Sequence, residues 1–395
     1  MNVTSDIKYI GVNDYSKDLF EGLYKVPDGM AYNSYVILDE KIAIMDTVDV
    51  EFTNQWLDNI ENVLGDRKPD YLIVQHMEPD HSASVMSFFN RYPDTTLVAS
   101  FKAFEMMGNY FGTEFEERRI VINDGDKLVT GRHELEFISA FMIHWPEVMM
   151  TYDSRDKVLF SADAFGKFGA VNTTDEIKLD KIELEKNWID EARRYYFGIV
   201  GKYGTQVKRL LDRVSQLDIR IICPLHGVVL SENLQYFINL YNTWAGYEPE
   251  EKGILIAYTS VYGNTEKAAL MLKDMLVSKG CTNVVMKNLI RCDMTEAVAD
   301  AFKYSQLVLA TTTYNADIFP PMREFINDLV QRNFSNRRVA LIENGSWVPV
   351  ASKKMREKFE KCKNIDFLDN TVKILSVLNE ESVTQLKKLA DELIY

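Results

Sequence analysis

The sequence predicts an α/β protein of two domains, residues 1–248 and 253–395, the second a doubly wound parallel sheet. Three observations carry this. Residues 247–253, Tyr-Glu-Pro-Glu-Glu-Lys-Gly, are polar and hold both a proline and a glycine, as a connection does. Before them, short strand-like apolar runs predominate, with helical stretches between. After them, apolar runs and helical stretches alternate regularly, which is the pattern of a parallel sheet with crossover helices.

Taken in order, the first part offers strands at residues 33–38, 42–46, 71–75, 96–99, 135–139, 158–160 and 219–223. Each is a short apolar run of strand length. Helices at 51–64 and 84–90 lie among them; the small residues Ser82-Ala-Ser84 can open the second. The second part reads strand 253–258, helix 264–278, strand 284–289, helix 293–302, strand 307–311 and helix 322–331. Strand 338–342, helix 351–362, strand 372–374 and helix 380–393 complete it. Five strands alternating with five helices give the doubly wound sheet.

Composition narrows the function. The 395 residues are 46% hydrophobic and 26% charged, ordinary for a globular chain. A net charge of −14 argues against broad nucleic-acid binding, which needs basic surface. No apolar run reaches membrane-spanning length. The opening residues, Met1-Asn-Val-Thr-Ser-Asp6, lack the basic and apolar regions of a secretory signal, so a cytoplasmic location is expected. The cysteines, 223, 281, 292 and 362, form no Cys-x-x-Cys pair; disulfides and a built-in four-cysteine iron site are not expected.

The densest chemistry is His76-Met-Glu78-Pro-Asp80-His81, four metal-ligand types in six residues, directly after the run 71–75. Other candidates stand in similar places. His144 follows 137–143, Asp163 follows 158–161, and His226 follows 220–224. Strand ends on one edge of a sheet converge on a shared crevice. A single histidine or aspartate after a strand is more often a structural hydrogen-bonding residue. Seven such positions, using four of the five histidines, point instead to a site for two metals, with Asp163 placed to bridge them. Glu78 stands where a zinc hydrolase site of this style has imidazole, and its harder oxygen favours redox-active iron. His133, in Gly-Arg-His-Glu, reads as a surface turn residue and not a ligand.

This pattern resembles the flavodiiron proteins over nearly the whole chain. Residues 31–35 (Ala-Tyr-Asn-Ser-Tyr), 46–48 (Asp-Thr-Val), 144–146 (His-Trp-Pro) and 163–166 (Asp-Ala-Phe-Gly) add to the match. The resemblance implies a metallo-β-lactamase-like αββα sandwich followed by a flavodoxin-like doubly wound parallel sheet. It implies one iron on His76, Glu78 and His144, another on Asp80, His81 and His226, and Asp163 between them. Tyr195 falls where relatives place a tyrosine in the pocket for a diatomic gas. Glu21, in Phe20-Glu21-Gly22, stands where many relatives have a histidine. A packing or surface role is the alternative for both.

In the second domain, Thr259-Ser260-Val261-Tyr262-Gly263-Asn264 joins the first strand to the helix 264–278, into which Thr265 continues. Hydroxyls, backbone N–H groups and a helix N-terminus can cradle a terminal phosphate. The loop has no Walker lysine, and it looks like the FMN phosphate loop of flavodoxins. Two later strand-end loops are expected to hold the flavin ring. They are Thr312-Thr313-Tyr314-Asn315 and Asn344-Gly345-Ser346-Trp347. The alternative is a flavodoxin-like domain without flavin. The second loop lacks the family's proline and second asparagine, and the third is poorer in glycine.

The resemblance implies an oxidoreductase that reduces dioxygen to water, nitric oxide to nitrous oxide, or both. Electrons would come through FMN from a separate donor such as rubredoxin, and the chain would form a head-to-tail homodimer or a dimer of dimers. The rival readings are a zinc-dependent hydrolase and a non-catalytic electron carrier or redox sensor.

Overall fold

The computed structural model describes residues 2–171 and 188–394. The chain divides into two compact units, Met1–Tyr241 and Asn242–Tyr395. The division falls inside the helix Leu234–Ala245, just ahead of the polar connection at 247–253. That helix is absent from the sequence reading, although Phe237, Tyr241, Trp244 and Ala245 recur at helical spacing on one buried face.

In the first unit, one sheet runs Ile7–Tyr9, Tyr35–Ile37, Ala43–Met45, Tyr71–Ile73, Thr96–Ser100, Arg119–Ile122 in spatial order. Its first pairs are antiparallel and its last three parallel. The other sheet runs Lys127–Val129, Glu134–Ser139, Met149–Asp153, Val158–Phe160, Ile221–Cys223, parallel only in its last pair. The sheets meet face to face. The Tyr35 ring packs against Phe160 at 5.5 Å, and the Tyr35 hydroxyl donates to the Pro224 carbonyl at 2.9 Å. Strands covered on both faces lose polar alternation. Met149–Asp153 is buried throughout, and the polar Thr151 and Asp153 within it break the apolar run by which the other strands are read. Helices cover the outside. Thr53–Leu64 turns Trp56, Ile60 and Leu64 inward at four-residue spacing. Phe101–Phe111 starts where the Ser100 hydroxyl accepts from the Ala103 N–H at 3.2 Å, and ends at left-handed Gly112.

His133 corrects one expectation. It is not a surface turn residue but fully buried. Its Nδ1 lies 2.9 Å from Asp153 Oδ2 and its Nε2 lies 3.4 Å from Asp6 Oδ2. Arg132 and Arg155 also reach Asp6, so the group is a charge-balanced structural knot. Burial works against the imidazolium, but Asp153 and its acidic neighbours outweigh it and raise the His133 pKa. The folded value lies above the unfolded one of about 6.5. The contribution is therefore full below about pH 6.5 and is lost as pH rises through the folded value. His133→Ala is expected to cost about 3 kcal/mol at pH 6, and less at pH 9, in urea denaturation.

The second unit is one sheet, parallel in the order Val284–Asn288, Glu251–Tyr258, Tyr304–Tyr314, Arg337–Asn344, with Ile365–Phe367 and Val372–Ile374 end to end along the last strand and the short Asp317–Ile318 antiparallel to Tyr304–Tyr314. The expected final strand at 372–374 is present, and Ile365–Phe367 is a strand the sequence reading lacks. The order reverses beside the first strand, Glu251–Tyr258, and such a switch opens a crevice at the strand C-termini. The helices Asn264–Ser278 and Glu380–Ile394 bury Leu272, Leu276, Leu386 and Leu389 against this sheet. Among the described residues, no helix is long and apolar enough to cross a membrane.

Candidate metal centre and flavin cavity

Each predicted metal ligand leaves the C-terminal side of a strand of the first unit. His76 follows Tyr71–Ile73, His144 follows Glu134–Ser139, Asp163 follows Val158–Phe160 and His226 follows Ile221–Cys223. The helical turn Pro79–Ser82 begins inside the ligand run, earlier than Ser82-Ala-Ser84 suggests. Proline fits the first helical position, and the turn rotates Asp80 and His81 away from Glu78.

The structure brings all seven together as two groups. His76, Glu78, His144 and Asp163 form one; Asp80, His81 and His226 form the other. Asp163 joins them. Its Oδ2 lies 3.2 Å from the Nε2 atoms of both His76 and His144. Its Oδ1 lies 3.4 Å from His81 Nε2 and 3.6 Å from His226 Nε2. Glu78 Oε2 sits 3.3 and 3.1 Å from His76 and His144, and Asp80 Oδ2 sits 3.4 Å from both His81 and His226.

Whether this arrangement suits metal ions can be judged from its hydrogen bonds. His226 Nδ1 donates to the Ala31 carbonyl at 2.7 Å. A carbonyl only accepts, so Nδ1 carries a proton and Nε2 is the nitrogen turned toward the site. His76 Nδ1 donates to Glu147 Oε1 at 2.8 Å, and that oxygen also accepts from the Met77 N–H at 2.9 Å. His81 and His226 set their Nε2 atoms 3.0 Å apart. Both oxygens of Asp80 and of Asp163 are buried without a hydrogen bond of good geometry. Bare lone pairs and unsatisfied carboxylates facing one another call for cations. Without them, the charges compensate each other. Burial opposes ionisation of Asp163, but His76, His144 and His81 hold it well below the usual carboxylate range. Burial likewise opposes the His144 imidazolium, while Asp163 and Glu78 raise it to about 9.

Glu147 is a candidate functional residue that sequence reasoning missed. Its only signal was its place directly after residues 144–146. Replacing it with alanine is expected to weaken metal binding about 10- to 100-fold, because the His76 ring loses its orienting partner. Chelator competition would measure this; unchanged affinity would mean the ring is fixed by packing alone.

Tyr195 is buried, with its ring 5.5 Å from His226 and 5.1 Å from Phe168. Burial first, then Asp163, Glu78 and Asp80, raise its hydroxyl well above the ordinary range, so it stays protonated. Glu21 sits at a hairpin tip, where burial of its carboxyl first and the neighbouring Glu78 charge next raise its pKa to about 7.

The second unit has a cavity of about 570 Å³ at the C-terminal ends of its strands. All three predicted loops line it: Val261, Tyr262, Asn264 and Thr265 from the first, Thr312, Thr313, Tyr314 and Asn315 from the second, Asn344, Gly345, Ser346 and Trp347 from the third. Ala316, Val348, Val350 and Ser376 complete the wall. Thr259 does not reach it, being buried and bonded to Thr311 at 2.7 Å. Ser260 and Gly263 are not in the wall but shape the first loop. Gly263 is left-handed (φ 83°) and precedes the helix Asn264–Ser278 without a side-chain cap, leaving that helix's first N–H groups uncapped by a side chain. The Ser260 hydroxyl is buried without a partner. A helix N-terminus with an unpartnered hydroxyl beside it suits a phosphate. Tyr262 and Trp347 are 92% and 85% exposed, so flat aromatic surface stands available at the rim. The residues present fit FMN.

Comparison with known proteins agrees with this geometry. Residues 30–227 match the family model described as "ODP family beta lactamase". A nitric oxide reductase from Moorella thermoacetica is 27% identical over 364 residues, 91% of this chain and 90% of that one. Among solved structures, the rubredoxin oxygen:oxidoreductase of Desulfovibrio gigas superposes with a TM-score of 0.91 at 24% identity, covering 100% of this chain and 97% of that one. The flavodiiron protein of Giardia intestinalis gives 0.87 at 24% identity, covering 99% and 96%. The chain belongs to the ODP beta-lactamase family, as a member with the two-unit fold of the flavodiiron proteins.

Proposed function

We propose that this chain is an oxidoreductase that reduces a diatomic gas, dioxygen to water or nitric oxide to nitrous oxide, at a pair of non-haem irons. The observation that carries the reading is Asp163, which presents one oxygen to each of two buried ligand groups. When bound, the iron pair would supply Lewis acidity and reducing power, and FMN would supply one- and two-electron chemistry. His76, Glu78 and His144 would hold one iron, and Asp80, His81 and His226 the other. The loops at 259–265, 312–315 and 344–347 would hold FMN.

The chain's own residues do the rest. Glu147 and the Ala31 carbonyl keep the Nε2 atoms of His76 and His226 aimed inward. Tyr195 keeps its proton beside the carboxylates and offers a neutral hydroxyl at the pocket. Phe20, Tyr32 and Tyr195 place aromatic edges on His226 and limit water around it. Glu78 in place of imidazole, and the flavin cavity, both count against the hydrolase reading.

A separate donor such as rubredoxin would feed electrons to the flavin. The exposed rim at Tyr262, Trp347 and Val348 supports a second copy covering it in a head-to-tail dimer. Four cysteines without a disulfide suit a reducing compartment such as the cytoplasm. The test is anaerobic: reduced protein is mixed separately with dioxygen and with nitric oxide, and gas consumption is followed. Consumption of either gas, coupled to flavin reoxidation, supports the reading. No consumption of either gas by the fully loaded, reduced protein rejects it.

A further inference from the structure

The strand Val372–Ile374 runs parallel to Arg337–Asn344, so its end lies beside the third flavin loop. Just after it, the Val377 N–H donates to the Leu375 carbonyl at 2.9 Å and closes a three-residue turn about Ser376. Ser376 has a φ of 68°, the rare and strained sense of such a turn. Glycine would take this conformation freely. A side chain persists there only where its surroundings over-determine it, and such positions gather at ligand clamps.

The surroundings here are hydrogen bonds from the third loop. Asn344 is 6% exposed and grips the turn with both ends of its amide. Its Oδ1 accepts from the Ser376 N–H at 3.1 Å, and its Nδ2 donates to the Ser376 carbonyl at 3.2 Å. The same Nδ2 donates to Thr265 Oγ1 at 3.3 Å, which in turn lies 3.3 Å from Thr312 Oγ1. The Gly345 N–H donates to the Ile374 carbonyl at 3.1 Å. One amide thus ties the turn to the first flavin loop and, through Thr265, to the second. The Ser376 hydroxyl donates to Ser346 Oγ at 3.0 Å. Ser346 accepts there, so its own proton is left for another acceptor. Thr265, Asn344, Ser346 and Ser376 all line the flavin cavity.

We infer that the turn Leu375–Val377 is a fourth flavin-binding element, in which the Ser376–Ser346 hydroxyl pair contacts the polar edge of the flavin ring and Asn344 positions the pair. The inference rests on the FMN reading above and deepens it. The phosphate has its own partners at the N-terminus of the helix Asn264–Ser278, which leaves the hydroxyl pair for the ring. A strained serine is kept in place of glycine because its hydroxyl is used.

The test uses full-length protein freed of flavin and titrated with FMN and with riboflavin, which keeps the ring and lacks the phosphate. Ser376→Ala is expected to weaken binding of both about 3- to 10-fold, the size of one lost hydrogen bond, and to move the flavin midpoint potential. Ser376→Gly, which also relieves the turn, should lose a similar factor. Asn344→Ala should cost more than either, and in that background Ser376→Ala should have little further effect. Iron content should match wild type in every variant, and the flavin-free Ser376 variants should melt no lower than flavin-free wild type. Unchanged affinity for both flavins in Ser376→Ala overturns the inference and leaves the FMN reading intact. A loss for FMN alone, or a loss without any change in potential, overturns the ring contact. A wild-type protein that binds neither flavin overturns the inference and the FMN reading together.

Discussion

Asp163→Asn is expected to remove metal from both subsites at once, lowering affinity by more than the 10- to 100-fold typical of an outer partner. Among the described residues, no other one serves both groups. Losing Glu78 would leave Asp80, His81 and His226 intact, and losing Asp80 would leave the other group intact. Asparagine preserves volume but loses the charge and one of the two oxygens facing the imidazoles. A stability measurement sharpens the prediction. A ligand that binds only the folded state stabilises it by about 4 kcal/mol at a thousandfold excess over Kd. Wild-type protein should therefore melt higher with iron than without. In Asp163→Asn that metal-dependent rise should vanish. The metal-free variant should be less stable than metal-free wild type, since without a cation the Asp163 carboxylate balances the buried His76, His144 and His81 imidazoles. A variant that retains both metals and the full melting shift would show that Asp163 is not the bridge.

Ser260→Asp is expected to lower FMN affinity by about 100-fold or more, roughly 3 kcal/mol. The change puts a carboxylate beside the start of the helix Asn264–Ser278, where the phosphate would lie. It replaces an unpartnered buried hydroxyl with a like charge and occupies the helix N–H groups. Flavin content and a fluorescence titration would measure the loss. Iron content should not change, because the metal ligands all lie in the first unit. A variant that purifies with full flavin would place the phosphate elsewhere.

The candidate ligand groups were legible because their residue types are scarce and each follows a strand. Five histidines in 395 residues make four at strand ends a signal that survives imprecise strand boundaries. The flavin loops were legible for the same topological reason, since a 2-1-3-4-5 parallel sheet gathers its strand-end loops at one crevice. Residues that act through space were not legible. Glu147 sits 71 positions from His76, and nothing local ties them. The Ala31 carbonyl that fixes His226 belongs to the backbone, so no residue type announces it. His133 misled for a related reason. Gly131-Arg-His133 looks like an exposed turn, and only the Asp6 and Asp153 carboxylates, distant in sequence, make burial of the ring favourable. The missed strand Met149–Asp153 carries two buried polar residues, Thr151 and Asp153, which interrupt the apolar run that sequence reading relies on. Thr259 looked like a phosphate contact from its place in the loop, but the pleat turns its hydroxyl to Thr311.

The most direct test of the account is metal and flavin analysis of protein purified anaerobically after iron-replete expression. The account predicts about two irons and one FMN per chain. Two zincs with neither iron nor flavin would contradict it, and would move the hydrolase reading to the front.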